Sequence, residues 1–164
     1  MSPFGQKFFG GSTSAAISLA LALFASPLAA QKTSLTLGNA TVTFPAPTAT
    51  DYINGFVDAA TGVTFTINST NGLQRTTTVS IRSTSASLGG GKVIGDLEWR
   101  RSDLATWNSV TLTDAQIEQR IVVNKGLNDP WGNTIFFRMK LAWTTDAPGT
   151  YSANYQLTLS QTVP

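Results

Sequence analysis

An all-β, antiparallel sandwich is the fold that this sequence predicts for residues 31–164, and three observations carry that expectation. Apolar and polar residues alternate with period two in segment after segment. Clusters of Gly, Pro, Asn and Asp separate those segments at short intervals. No long stretch has the 3.6-residue periodicity of a helix.

The alternation is clearest near the end of the chain. Over Thr134–Thr144, Ile135, Phe137, Met139, Leu141 and Trp143 share one parity, while Arg138 and Lys140 share the other with Phe136. Over Thr150–Gln161, Tyr151, Ala153, Tyr155, Leu157 and Leu159 alternate with polar residues. Successive strand side chains point to opposite faces, so each segment has a wet and a dry side. The turn residues 145–149 lie between them, and the pair is expected to form a long antiparallel hairpin. Val63, Phe65 and Ile67 mark an earlier strand, ended by Asn71 and Gly72. Thr77, Val79 and Ile81 mark the next, Leu97 and Trp99 another, and Trp107–Thr113 its partner. Ile121 and Val123 mark one more. The first strand is Thr33–Phe44. Its apolar parity changes between Leu37 and Val42, so Gly38 and Asn39 are expected to form a bulge or kink. A single helical turn is expected over Thr113–Gln119, capped by Thr113 with Gln116 completing a capping box. Pro45–Asp51 and the glycines at 89–91 read as flexible loops.

About seven or eight amphipathic strands must stack as two sheets or close on themselves to hide their apolar faces. An immunoglobulin-like sandwich is the expectation for this length, with a jelly roll or small barrel as the alternative.

The first 30 residues read as an export signal. Lys7 is the only charged side chain before the apolar run 15–25, Pro27 breaks the run, and Leu28, Ala29 and Ala30 supply a cleavage site. The run is shorter than the ~20 residues of a bilayer span, so no membrane span is expected after cleavage. The remaining 134 residues suit one domain. The chain has no Cys, so the core must stabilise the fold without disulfides. A secreted, periplasmic or cell-surface location follows from this reading.

The chain carries 11 basic and 9 acidic residues. Nucleic acid needs clustered Lys and Arg, and Arg100–Arg101 is the only adjacent pair, so no nucleic-acid partner is expected. The chain has no His and no Cys, which excludes a Ser-His-Asp triad, a thiol nucleophile and His-based metal sites. Two Glu and seven Asp remain for paired-carboxylate chemistry, and most of these Asp fall in turns, where Asp caps its own backbone. No enzyme activity and no cofactor are expected. Asp51, Asp58, Asp129 and Asp146 are the loop oxygen donors that calcium would use, but no Asp-x-Asp-x-Asp spacing occurs and turn capping is the expected role.

The aromatics carry the binding expectation. Trp99 and Trp143 share the parity of core residues and are expected inside. Trp107 opens a strand and packs across its hairpin. Trp131 falls in the turn-like segment 128–133, where it either stacks on a sugar ring or partner, or covers one end of the core. Tyr52 and Phe56 are its candidate companions, and Trp131 and Tyr52 are the candidate ligand-binding residues.

Two segments resemble known proteins. Leu97–Leu112 (LEWRRSDLATWNSVTL) is similar to the central hairpin of bacterial immunoglobulin-like and fibronectin-type modules. Asp146–Leu159 (DAPGTYSANYQLTL) resembles the closing strand of secreted bacterial sandwiches, including the spore-coat-U and pilin-like families. The cysteine pair frequent in those families is missing here. The resemblance implies a structural or adhesive surface module, or a fibre subunit, and transfers no active site. A protein partner or second copy is then an expected partner, with Thr33–Phe44 pairing in its own sheet or with a neighbour. A carbohydrate- or ligand-binding module is the alternative.

Overall fold

The computed structural model describes residues 33–39, 42–69, 74–89, 91–122, 130–146 and 154–162. All lie in Gln31–Pro164, one of two units into which the chain divides. Residues 1–30, read as an export signal, the expected turn at 71–72 and residues 147–149 of the expected 145–149 turn fall outside the described residues.

The domain is an antiparallel β-sandwich. Its strands are β1 (Thr33–Leu37), β2 (Phe56–Asp58), β3 (Val63–Ser69), β4 (Arg75–Ser83), β5 (Ser87–Gly89), β6 (Lys92–Val93), β7 (Leu97–Arg101), β8 (Asn108–Ser109), β9 (Ala115–Val122), β10 (Trp131–Lys140) and β11 (Tyr155–Thr162). One helix, α1 (Ala49–Asn54), precedes β2. The larger sheet runs β1-β3-β10-β7-β8, with β2 continuing along β10 beyond β3. The smaller runs β11-β4-β9, and β5 and β6 form a separate hairpin.

Alternation builds the core as expected. Val63, Phe65 and Ile67 of β3, Leu97 and Trp99 of β7, and Ile135 and Phe137 of β10 meet Val79 and Ile81 of β4 and Ile117 of β9 in one cluster. Tyr155, Leu157 and Leu159 pack against it from β11. Each inward side chain removes apolar area from water, about 25 cal/mol per Å². Polar bonds close the sandwich edge where β1 meets β11: Gln161 Nε2 donates to Thr33 Oγ1 (2.9 Å) and Thr77 Oγ1 (3.0 Å).

Several expectations are corrected. Segments 134–144 and 150–161 do not form a hairpin. β10 lies in the larger sheet, whereas β11 pairs along its whole length with β4 in the smaller one. Both faces of the core need strands, and alternation is the same whichever sheet receives them. The expected helical turn at 113–119 is strand β9 instead, because β4 offers a ladder from Arg75 to Ile81. Val79 faces Glu118 and Ser80 faces Gln116, so Ile117 is the extra residue of a bulge. The bulge moves Ile117 inward and reverses the parity beyond it. Glu118 and Arg120 then share the face of buried Val79 and Thr77, and Ile121 is turned out, 59% exposed.

The first strand also ends earlier than expected. β1 stops at Leu37, and Val42 and Phe44 pack on the core without joining a ladder. β1 pairs with β3 of its own domain, from Thr33↔Ser69 to Leu37↔Phe65. The loop expected at Pro45–Asp51 contains the start of α1. Thr48 and Asp51 form a reciprocal capping box, and Gly55 ends the helix in the left-handed region (φ 79°).

Candidate functional site

The site assembles where β10 leaves the larger sheet and β2 and β7 enter it. Side chains of β10 that alternate with the buried Phe137 and Met139 point away from the core: Phe136, Arg138 and Lys140. Arg138 lies opposite Glu98 of β7 and Asp58 of β2, and Lys140 opposite Phe56. Glu98 is almost buried because two cations cover it. Arg138 Nε donates to its Oε2 at 2.6 Å and Lys140 Nζ contacts Oε1 at 2.9 Å. Burial raises the Glu98 pKa, but the bonds from Lys140 and Arg138 outweigh that and hold the carboxyl below its usual range.

The guanidinium groups also stack. Arg138 lies 4.8 Å from the Phe56 ring centre and 4.4 Å from that of Trp107. Arg100 lies 5.0 Å from Trp107 and 4.9 Å from Phe136. Cations and rings thus alternate across the outer face, each contact contributing about 0.5–1 kcal/mol where solvent reaches it. Trp107 packs across the β7–β8 hairpin as expected, through these cations.

Beside this face opens a cleft of about 510 Å³. Its charged lining is Lys92, Arg138 and Lys140 against Asp96, Glu98 and Asp146. Lys92 Nζ is 2.6 Å from Asp146 Oδ2 and 3.9 Å from Asp96 Oδ2, and the Lys92 and Asp146 side chains are both 5% exposed. Asp146 also accepts from Ala142 N at 2.5 Å. Burial raises the Asp146 pKa, while Lys92 and the Ala142 amide more than reverse the effect, leaving it lowered.

The cleft adjoins an aromatic pair. α1 brings Tyr52 over a small cluster of Val57, Met139 and Leu141. Leu141 N donates to Gly55 O at 2.8 Å, tying the end of β10 to the helix terminus. The chain then turns through 143–145, and Trp143 lies on Tyr52 with ring centres 4.5 Å apart and planes at 27°. Trp143 is 61% exposed and the neighbouring Ile53 76%.

Of the tryptophans, Trp143 departs from its expected place, while Trp131 packs on the core, as one of its two expected readings had it. Trp131 is not a surface residue of a turn. It opens β10, is 6% exposed, meets Phe65 edge-on (6.1 Å, 85°) and is covered by Arg120 at 4.9 Å. Its ring offers no free face for a ligand. Trp143, expected in the core, is outside because β10 ends at Lys140, before the alternation does. Trp99 is buried as expected. Tyr52 is at the site, with Trp143 and not Trp131 as its companion; Phe56 lines the cleft. Lys92, Glu98, Arg138 and Lys140 were not distinguished in the sequence. The signal available for Trp143 was the run Thr144–Thr145–Asp146, which ends the strand sooner than hydrophobicity suggests.

The loop acids have separate partners. Asp51 caps α1, and its bonds to the Thr48 amide and hydroxyl lower its pKa. Asp146 pairs with Lys92, Asp58 lies exposed in β2, and Asp129 is outside the described residues. Among the described residues no three His, Cys, Asp or Glu side chains gather to hold a metal ion, and no helix is long and apolar enough to cross a membrane.

These carboxyls predict an acid limb in stability. Asp103 is lowered to about 2, chiefly by its bond from Arg101, and Glu98, Asp146 and Asp51 are also lowered. A carboxyl lowered on folding stabilises above its unfolded pKa of about 4, and that contribution fades as pH falls through the folded value. Urea unfolding from pH 8 to 2 should show constant stability down to about pH 5 and a decline below about 4. With no His in the chain, a decline centred between pH 6 and 7 would contradict this.

No protein-family model, curated protein or solved structure matches this chain.

Proposed function

We propose that the domain is an exported surface module that works by adhesion, binding a neutral glycan on the Tyr52–Trp143 pair and in the adjoining cleft. The single observation that carries the reading is the placement of Trp143. The largest type of apolar side chain lies 61% exposed, ring on ring with Tyr52, and follows in the chain directly on Ala142, which lines a cleft. A flat, rigid aromatic surface beside convergent polar groups suits a ligand with one apolar and one hydroxyl-bearing face, as a sugar ring has. The six charged cleft residues are three cations and three anions. Such a lining offers donors and acceptors without a net field, which favours a neutral polyol over an ion. The same acids are held in ion pairs, in keeping with a binding role and not with acid–base catalysis. Export rests on the signal-like residues 1–30, and secretion or surface display follows from it.

Immobilised neutral polysaccharides (a glucan, a mannan and a galactan) test the reading. The wild-type protein should bind at least one, and Trp143→Ala should weaken that binding at least tenfold, about 1.4 kcal/mol, with an unchanged β-sheet circular dichroism spectrum. Absence of wild-type binding to all three, or full binding by Trp143→Ala, would overturn it.

A further inference from the structure

We infer that Lys92, which does not touch the aromatic pair, is the positioning residue that holds the Trp143 ring in place, acting through Asp146. The inference deepens the binding role proposed above and rests on it only for its consequence for affinity.

Beyond Leu141 the chain has left the sheet, so no ladder fixes the ring. The segment is held by bonds that converge on Asp146. Its amide donates to Ala142 O (3.1 Å), its Oδ2 accepts from Ala142 N (2.5 Å), and its Oδ1 accepts from Thr145 Oγ1 (3.3 Å). Asp146 thus closes the turn that carries Trp143 from both ends. Besides the Tyr52 stack itself, an ion pair ties this closed turn to another element: Lys92 Nζ lies 2.6 Å from Asp146 Oδ2, reaching in from β6. Both side chains are 5% exposed, so water does not weaken the pair as it weakens a surface salt bridge. Lys92 is anchored in turn, since its carbonyl accepts from Ser87 Oγ (3.2 Å) and Asp96 lies on the other side of its ammonium group (3.9 Å). The remaining charged groups of the cleft, Glu98, Arg138 and Lys140, pair among themselves.

The consequence is preorganisation. A ring already fixed before the ligand arrives spares the ordering cost of binding. Loss of the Lys92 charge leaves the turn closed on itself but loose against β6, and Trp143 then leaves Tyr52.

A stacked Tyr–Trp pair couples its ring transitions, so circular dichroism near 230 nm reads the geometry without ligand. Tyr52→Ala and Trp143→Ala each remove the coupled band and so identify it. Lys92→Met should remove the same band and weaken polysaccharide binding at least tenfold, and Lys92→Arg should retain both. A folded Lys92→Met protein that keeps the band would overturn the inference, as would a Lys92→Arg protein that loses it. Should Lys92→Met fail to fold, Asp146→Asn decides. It retains a side-chain oxygen for Ala142 N and removes only the charge, and a folded Asp146→Asn protein with the band intact would overturn the inference. The band is measured without polysaccharide. Its loss in Lys92→Met alongside a wild type that binds no polysaccharide would therefore sustain the positioning role and sink the glycan reading.

Discussion

Truncation of Phe137 to Ala should lower the stability of the domain by about 3–5 kcal/mol, whereas the same change at Trp143 should cost no more than about 1.5 kcal/mol. The two residues share parity in one hydrophobic segment, so sequence pattern treats them alike. Phe137 is 1% exposed, lies opposite Trp99 in the ladder and packs 5.3 Å from Tyr155 of the other sheet. Its removal leaves a cavity between two sheets whose backbones are held by ladders on both sides of β10, and such a site collapses poorly. Trp143 loses only a stack with Tyr52, on a surface already in water. Thermal melts should separate the variants, Phe137→Ala falling by on the order of 10–20 °C. Equal falls for the two would mean that Trp143 is a core residue after all, and the candidate site would lose its platform.

Gly132→Ala should be nearly as damaging, at about 3 kcal/mol or more. Gly132 faces Thr66 across the β10–β3 ladder. A Cβ there would lie 2.0 Å from Phe65 O and 3.1 Å from Phe65 C and Thr66 Cα, all of them backbone atoms. No rotamer can relieve that overlap, so β3 must shift from β10 and lengthen ladder bonds beside Trp131. Gly38→Ala is the internal control. Its Cβ would lie 2.2 Å from Thr64 Oγ1, a side-chain atom that can rotate away. Urea unfolding should therefore rank Gly132→Ala well below Gly38→Ala. A Gly132→Ala protein within about 1 kcal/mol of wild type would show that the two strands do not approach so closely.

Period-two alternation was enough to place the dry faces of β3, β4, β7 and β10, because a strand side chain's direction depends only on its own backbone. Val63, Phe65, Ile67, Val79, Ile81, Leu97, Trp99 and Phe137 are buried where that rule puts them. Tyr52, a ligand-binding candidate in the sequence, lies against Trp143. The rule is silent on which sheet a strand joins. β10 and β11 look like a hairpin in sequence, yet they belong to opposite sheets, since pairing is settled by the partners that complete each sheet. It is equally silent on where a ladder stops. The bulge at Ile117 reverses the parity of Ile121, and the end of β10 at Lys140 puts Trp143 outside while Trp131 is drawn in. The cleft was hidden for the same reason: Lys92 and Asp146 are 54 positions apart, and Glu98 and Arg138 are 40 apart. Charge pairs of this kind have no local signature. Hydrophobic periodicity is a property of each segment alone, whereas register, bulges and ion pairs arise only between segments, after the chain has brought them together.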